Sequence, residues 1–323
     1  MKLVTFQSGK APGVGVVEGD FVLSVEGVLA HLRARKTPRA IADRPQFKRA
    51  ARVLLEGGAA PREMMPLLER GAAWRKALGV VAGALAKGLG DSASSSRLLL
   101  PLSKTQLLAP IPRPGKITCV GLNYADHARE QGTEPPSKPI FFLKSSNTIC
   151  GPADAIQLPP NSSQVDYEAE FAVVLGRRGR RIPEEKAMDY VAGYTILHDV
   201  SARDMQFGDN QWYRGKSCDT FAPTGPWIVT ADEVPDINNL RISLTLNGKT
   251  LQDSNTSNLI FKVPFLISYL SQSVTWEPGD LLSTGTPPGV GVFRKPPVFL
   301  KPGDTVSVSV ERLGTLTNSV VAP

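Results

Sequence analysis

Short strand-forming runs, separated by turns rich in proline, glycine and asparagine, occupy most of the chain from Leu107 onward and constrain its fold more than any other feature. The runs lie at 117–121, 140–143, 168–175, 194–199, 227–230, 240–246, 280–284 and 305–310. Helical patterns interrupt them only at 124–131, 183–189 and 263–272. Frequent short strands with isolated helices predict an α+β fold, mostly β, rather than a doubly wound α/β sheet.

Residues 1–100 have a different pattern and are predicted to form a small N-terminal α/β domain, with 101–323 as a second, larger domain. Two strands are predicted at 3–7 and 15–25, and the start of the first is typical of an edge strand. Helices are predicted near 45–55 and 61–86. The small, polar stretch 88–96 is typical of a linker.

The net charge of +7 raises the question of a nucleic-acid partner. Residues 1–100 carry 16 Lys and Arg against 8 Asp and Glu, whereas the rest of the chain carries 21 against 22. No nucleic-acid motif accompanies the basic runs at 33–36 and 48–52, and no glycine-rich nucleotide-binding motif is present. We therefore expect no nucleic-acid partner. The basic runs are interpreted as a solvated helix face, with a surface for an anionic partner as the alternative.

Apolar runs and cysteines indicate the compartment. The longest apolar runs, such as 80–86, are far shorter than the roughly 20 residues of a membrane helix, so no membrane partner is expected. The three cysteines, Cys119, Cys150 and Cys218, form no C-x-x-C pair and indicate neither a disulfide framework nor a zinc site. No presequence is visible at the N-terminus. These features predict an intracellular protein.

Two glutamates lie in the apolar run at 165–175. Because side chains alternate along a strand, Glu168 and Glu170 share a face, where they repel each other and resist burial. A hard divalent cation such as Mg²⁺, Mn²⁺ or Ca²⁺ would relieve both costs. Asp199, at the end of another strand, would supply a third carboxylate. The alternatives are a solvated acidic pair for the glutamates and a turn or cap residue for Asp199.

Two further clusters carry polar chemistry. On a helix beginning near Tyr124, His127 and Glu130 share a face, and a carboxylate beside an imidazole suits general base catalysis. The alternative is a structural pair on an exposed helix. The run 283–291 is rich in glycine and proline. It is interpreted either as a loop that directs backbone N–H groups at an anionic ligand or as a plain turn.

Together these clusters resemble the fumarylacetoacetate hydrolase family, over about 109–320 of this chain. The family's elements occur in order: G-x-N-Y-x-x-H-x-x-E, F-L-K, E-x-E, H-D-x-x-A-R-D-x-Q, G-K-[ST] and G-T-P-x-G-V-G. The resemblance implies a mixed β-roll core typical of that family. The run 291–300 and the N-terminal domain are most similar to a long animal form of the family.

The resemblance also implies the roles of site residues. It implies Mg²⁺ as the cofactor, with Mn²⁺ or Ca²⁺ as substitutes, bound by Glu168, Glu170 and Asp199. It implies Lys216 as the active-site lysine and His127 with Glu130 as an acid/base pair on a mobile lid. The implied substrate contacts are Lys144, Arg203, Gln206 and Thr286. Leu122 stands where many shorter members have an arginine, so that anion contact is missing here.

By the same resemblance the substrate is a small 2-oxo acid or diacid, activated as charge moves onto its keto oxygen and an enolate forms. Reprotonation gives tautomerisation, and the long animal form favours oxaloacetate enol–keto tautomerase activity. The alternatives are C–C hydrolysis or decarboxylation of acylpyruvates or oxaloacetate, and a non-catalytic 2-oxo acid binder. The resemblance further implies a homodimer and a mitochondrial location, with the cytoplasm as the alternative.

Overall fold

A computed structural model describes residues 1–89 and 98–323 and divides the chain into two compact units, Met1–Ile111 and Pro112–Pro323. Strands make up about 32% and helices about 31% of the residues, which confirms a mixed fold of strands and helices. The predicted linker at 88–96 lies mostly outside the described residues, and its first two residues end a helix. No helix in the described part of the chain is both long and apolar enough to cross a bilayer.

The first unit contains an antiparallel sheet in the order β4-β3-β2-β1-β5 and several helices. Its strands are β1 (Lys2–Ser8), β2 (Ala11–Glu18), β3 (Phe21–Ser24), β4 (Leu99–Pro101) and β5 (Leu107–Leu108). Its helices are α1 (Val25–Arg33), α2 (Arg39–Ala42), α3 (Pro45–Glu56), α4 (Met64–Glu69) and α5 (Gly71–Leu89).

Local turn chemistry explains where these elements differ from the prediction. The expected strand at 15–25 is interrupted at Gly19, whose φ is 57°, and Ser24 then caps α1 by accepting a hydrogen bond from the Gly27 N–H. The single helix expected at 61–86 is divided at Gly71, whose φ is 79°. The predicted edge position of β1 is wrong. Its consecutive Leu3 and Val4 are both fully buried, and the strand pairs with β2 and β5.

The second unit has a mixed sheet in the order β14-β12-β11-β17-β6-β7, a sheet in the order β16-β15-β18-β19-β9, and the short pair β10-β13. Its first strands are β6 (Ile117–Gly121), β7 (Ile140–Lys144), β8 (Ile149–Cys150), β9 (Ile156–Gln157), β10 (Val165–Asp166), β11 (Ala169–Leu175) and β12 (Val191–His198). The remaining strands are β13 (Ser201–Ala202), β14 (Ala222–Thr230), β15 (Arg241–Leu246), β16 (Lys249–Asn255), β17 (Leu281–Ser283), β18 (Thr305–Val310) and β19 (Gly314–Val321).

Helices of the second unit are few and short. They are α6 (Ala125–Glu130), α7 (Arg203–Gly208), α8 (Tyr213–Lys216) and α9 (Val263–Ser271). The helix predicted at 183–189 is a 3-10 helix, Glu184–Tyr190. The sequence did not predict β16 and β19, because polar residues interrupt the apolar alternation of KTLQDSN and GTLTNSVV.

Strands β11 and β12 form the centre of this unit and bring two parts of the chain together. Every residue of both strands is buried, and the rings of Phe171 and Tyr194 stack with centroids 5.3 Å apart. The strands are antiparallel, with Ala169 opposite His198. Residues flanking that pair therefore lie at the same end of the sheet, where the Asp199 N–H donates to the carbonyl of Glu168 over 2.9 Å.

Candidate active site

Three carboxylates meet at this end of the sheet. Glu168 immediately precedes β11, Glu170 is the second residue of β11, and Asp199 immediately follows β12. All three are buried, and one carboxylate oxygen from each lies within 4.8 Å of the others. We call Glu168, Glu170 and Asp199 the acidic cluster. The same-face placement of the two glutamates is what the alternation along a strand predicts.

Buried cations already compensate two members of the acidic cluster. The Nζ atom of Lys216 donates to Oε2 of Glu168 and to Oδ2 of Asp199, both over 2.7 Å. Lys144 donates to Oδ1 of Asp199 over 2.5 Å, and Arg203 donates to Oε1 of Glu168 over 2.6 Å. Within the described residues, the hydrogen-bond donors to Glu170 are neutral: the hydroxyl of Ser283 and the N–H of Gly285.

The pKa values follow this unequal compensation. Burial opposes ionisation of Glu168, but Lys216 and Arg203 hold the pKa of that carboxyl well below its ordinary value. Burial raises the pKa of Glu170 well above its ordinary value, and repulsion from Asp199 and Glu168 raises it further. Among the described residues, no ammonium or guanidinium group donates a hydrogen bond to Glu170, and the charge of Lys216 offsets the repulsion there only in part. Three buried carboxylates with only oxygen donors fit a hard divalent cation such as Mg²⁺ or Mn²⁺.

Arg203 connects the acidic cluster to Gln206 and to Asp166, and the sequence did not single out Asp166. Its Nε donates to Oδ2 of Asp166 over 2.8 Å, and its Nη1 donates to Oε1 of Gln206 over 2.9 Å. Asp166 is fully buried and also accepts hydrogen bonds from the N–H groups of Gly291 and Val292, over 2.6 and 3.0 Å. Asp166 is two residues before Glu168, and this two-residue spacing along an extended chain is the sequence signal that could have identified it.

The glycine-rich run 283–291 binds anions that belong to the protein itself. The N–H of Gly285 donates to Glu170 over 3.0 Å, and the N–H of Gly289 donates to Glu130 over 2.9 Å. With the Gly291 N–H on Asp166, three of its backbone donors therefore hold carboxylates of the chain. The structure thus assigns the loop an anion-holding role, but toward side chains from three other parts of the chain.

Helix α6 carries the predicted acid/base pair. The Nδ1 atom of His127 lies 2.9 Å from Oε2 of Glu130, and its Nε2 atom lies 2.7 Å from the amide nitrogen of Gln131. With a proton on Nδ1 donated to Glu130, Nε2 accepts from the Gln131 amide. Gln131 is four residues from His127 on the same helical face, and this spacing is the sequence signal that could have predicted their contact.

A cavity of about 190 Å³ opens beside the acidic cluster. Its polar lining consists of His127, Gln131, Glu168, Glu170, Arg203, Gln206, Lys216 and Thr286. Its apolar lining includes Val120, Leu122, Ile140, Phe142, Phe207, Trp212 and Phe293. Of the predicted substrate contacts, only Lys144 does not line the cavity, because its ammonium group is bound to Asp199 and to the carbonyl of Val200.

Comparison with known proteins establishes the class of protein. Residues 116–321 match the family described as "Fumarylacetoacetate (FAA) hydrolase C-terminal". Over 263 residues the chain is 52% identical to a Bos taurus protein named "Oxaloacetate tautomerase FAHD2A, mitochondrial", with 81% of this chain and 80% of that protein covered. The chain therefore belongs to the fumarylacetoacetate hydrolase family of enzymes, and the predicted membership is confirmed.

Two solved structures show which reactions similar proteins catalyse. A 5-carboxymethyl-2-hydroxymuconate delta-isomerase from Mycobacterium smegmatis is 33% identical, with a TM-score of 0.70 over 100% of this chain and 99% of that chain. A maleylpyruvate hydrolase from Sphingobium sp. SYK-6, in complex with manganese(II) and pyruvate, is 28% identical, with a TM-score of 0.68 and the same coverage. An isomerase and a hydrolase thus share this fold.

Proposed function

We propose that the chain is a divalent-cation-dependent oxaloacetate tautomerase that interconverts the enol and keto forms of its substrate. The observation that carries the proposal is the buried acidic cluster, with Lys216 beside it, at a cavity that also contains His127. The name of the bovine relative supports the reaction. Mg²⁺ is the proposed cofactor, with Mn²⁺ or Ca²⁺ as substitutes, and manganese in the related hydrolase supports the charge of the ion.

The carboxylates and Lys216 would polarise the substrate. Glu168, Glu170 and Asp199 would hold the cation, which supplies Lewis acidity toward the keto oxygen when bound. Lys216 is fixed by two of these carboxylates, so its ammonium group would be directed to the same developing negative charge without further reorganisation. The small cavity, with its partly apolar lining, would limit the water beside the substrate and strengthen these interactions.

His127 would move the proton. Glu130 would keep a proton on Nδ1 of His127, so Nε2 is the atom that would take a proton from carbon 3 of the substrate or return one. In this structure the Gln131 amide occupies Nε2, and a bound substrate would have to displace it. Glu130 also accepts the Gly289 N–H, which ties the proposed lid to the glycine-rich loop.

The predicted substrate contacts would divide into two kinds. Gln206 and Thr286 line the cavity and would contact the substrate directly. Because Oε1 of Gln206 accepts from Arg203, the amide N–H groups of Gln206 are the donors left for a bound anion. Arg203 would act mainly by orienting Gln206 and Glu168, and Lys144 by orienting Asp199. All these residues lie in the predicted catalytic domain, 101–323.

A second candidate function is hydrolysis of a C–C bond, which the related maleylpyruvate hydrolase supports. Hydrolysis requires a water molecule held against a distal carbonyl, and decarboxylation requires a carboxylate held out of the plane of the enolate. Tautomerisation requires only the proton transfer for which His127 and Glu130 are arranged. It is therefore the less demanding reaction for this cavity. A non-catalytic 2-oxo acid binder would need neither the paired imidazole nor Lys216.

A homodimer in the mitochondrion is also proposed. The location rests on the names of animal relatives such as the bovine protein. The oligomeric state is supported by partly exposed aromatic side chains of β7 and α9, where Tyr269 packs against Phe141 and Phe265 with ring centroids 6.2 and 5.6 Å away. Sedimentation equilibrium should give twice the chain mass of 34.7 kDa, and a monomer at micromolar concentration would contradict the dimer.

The reaction is tested by mixing the Mg²⁺-loaded enzyme with enol-oxaloacetate. We expect stopped-flow enol absorbance to decay at least about tenfold faster than pyruvate appears, which corresponds to a barrier difference of about 1.4 kcal/mol. The enzyme treated with a chelator serves as the control. Pyruvate release that keeps pace with enol decay would favour decarboxylation, and faster cleavage of an acylpyruvate would favour hydrolysis.

A further inference from the structure

One wall of the cavity is apolar and largely aromatic, and it begins beside the acidic cluster at Phe142, whose ring centroid lies 5.0 Å from Nζ of Lys216. Phe142 and Trp212 meet edge to face with ring centroids 5.3 Å apart, and Phe293 lies 6.1 Å from the His127 ring. Phe207 and Phe293 line the cavity and are 59% and 40% exposed, so we call their part of the lining the mouth of the cavity. When an apolar group of a ligand covers large exposed aromatic side chains, their surface is removed from water, and this favours binding of that ligand.

The cations that line the cavity, among the residues described, are all committed to groups of the protein. Arg203 donates to Asp166, Glu168 and Gln206, and Lys216 donates to Glu168 and Asp199. Leu122 stands on the apolar side with a φ of 50°, so no cation projects from that position either. A substrate substituent that extends toward the mouth would therefore meet rings rather than a compensating charge. A second carboxylate is the less complementary substituent there.

The available space also suits a ring. The cavity measures about 190 Å³, which must hold the head of the substrate as well as a ring. It is open beside the exposed Phe207 and Phe293, so a ring need not be enclosed completely. The three-carbon head of a 2-oxo acid must occupy the part next to the acidic cluster. A six-membered ring on carbon 3 would then extend to the mouth, where Phe207 and Phe293 lie.

From these observations we infer that the site also takes 2-oxo acids whose carbon 3 carries an apolar, planar substituent and no second carboxylate. This inference rests on the proposed tautomerase function and extends its substrate class. The reaction is an isomerisation in which the enol O–H bond breaks and a C–H bond forms at carbon 3. Once the substrate has displaced the Gln131 amide, Nε2 of His127 takes a proton from solvent and delivers it to carbon 3. The enol proton leaves to solvent, so the proton balance closes and no other reactant is consumed.

Enol-phenylpyruvate is the probe for this inference. With the Mg²⁺-loaded protein we expect kcat/KM for enol-phenylpyruvate to be at least equal to that for enol-oxaloacetate, once the uncatalysed decay is subtracted. In Phe207→Ala and Phe293→Ala, kcat/KM for phenylpyruvate should fall about tenfold more than that for oxaloacetate, as expected from lost ring contact. Val53→Ala is the control, because Val53 is 39% exposed, lies in α3 of the other unit and does not line the cavity. It should leave both values unchanged.

The possible results separate failure of this inference from failure of the proposed function. Rapid turnover of oxaloacetate without acceleration of phenylpyruvate would overturn the inference and leave the proposed function intact. Turnover of neither substrate would overturn both. Equal losses on the two substrates in the phenylalanine variants would also overturn the inference, because the ring would then gain nothing from the wall. Calorimetry should show keto-phenylpyruvate binding about tenfold more tightly than pyruvate, and equal affinity would contradict contact with the rings.

Discussion

Glu170→Gln is expected to abolish binding of the divalent cation and to lower kcat/KM for enol-oxaloacetate by about 10³ or more, since several kcal/mol of charge stabilisation would be lost. Glutamine has the same length as glutamate, and its carbonyl oxygen still accepts from Ser283 and Gly285. The substitution therefore removes a charged ligand with little change in packing. Titration calorimetry with Mg²⁺ and stopped-flow assays measure the two effects.

Without the cation, the same substitution should stabilise the protein at pH 7. Burial and the neighbouring Asp199 and Glu168 raise the pKa of Glu170 in the folded state. Above about pH 4.3 the unfolded chain loses this proton while the folded chain retains it, so the carboxyl lowers stability as pH rises. The neutral amide removes that loss. Thermal unfolding in a chelator should show a higher Tm for the variant at pH 7, and the difference should shrink toward pH 4.

Added Mg²⁺ should reverse this order, because it stabilises only the wild-type chain, by about 2.7 kcal/mol at 100 times the Kd. Asp280→Asn is the matched control, since Asp280 is a buried carboxylate outside the acidic cluster that pairs with Lys116 over 2.6 Å. It should retain the wild-type response of the Tm to Mg²⁺. A wild-type response in Glu170→Gln would remove Glu170 from the metal site.

His127→Ala is expected to lower kcat by roughly 10²–10⁴, the usual contribution of a positioned acid or base. The imidazole is buried in the cavity lining and hydrogen-bonded on both nitrogens, so its loss removes the proton carrier. Because the acidic cluster is untouched, Mg²⁺ affinity should remain that of the wild type. Stopped-flow kinetics with enol-oxaloacetate and calorimetry with Mg²⁺ separate these effects.

Two variants sharpen the test of His127. His31→Ala removes another of the three histidines, from α1 in the other unit, and should leave kcat unchanged. Glu130→Gln should lower kcat less than His127→Ala, because the amide oxygen still accepts from Nδ1 but no longer stabilises a charged imidazolium. An alanine variant with wild-type kcat would show that another group moves the proton.

Local periodicity explains why part of the site could be predicted from the sequence alone. Glu168 and Glu170 share a face because side chains alternate along a strand, and His127 meets Glu130 because residues three apart are neighbours on a helix. The polar strands β16 and β19 were missed for the complementary reason. Their pairing partners, rather than their own apolar pattern, place them in the sheet.

By itself, then, the sequence determined the mixed fold, the family, and the residue types that short-range geometry brings together. The tertiary structure decided which charges meet. Asp199 reaches Glu168 because β11 and β12 pair with Ala169 opposite His198, and a loop and α8 bring Lys216 to both carboxylates. The anion-holding role of the glycine-rich loop and the aromatic wall of the cavity depend on contacts of the same long range. Such contacts depend on strand register and loop paths, which no local spacing in the sequence encodes.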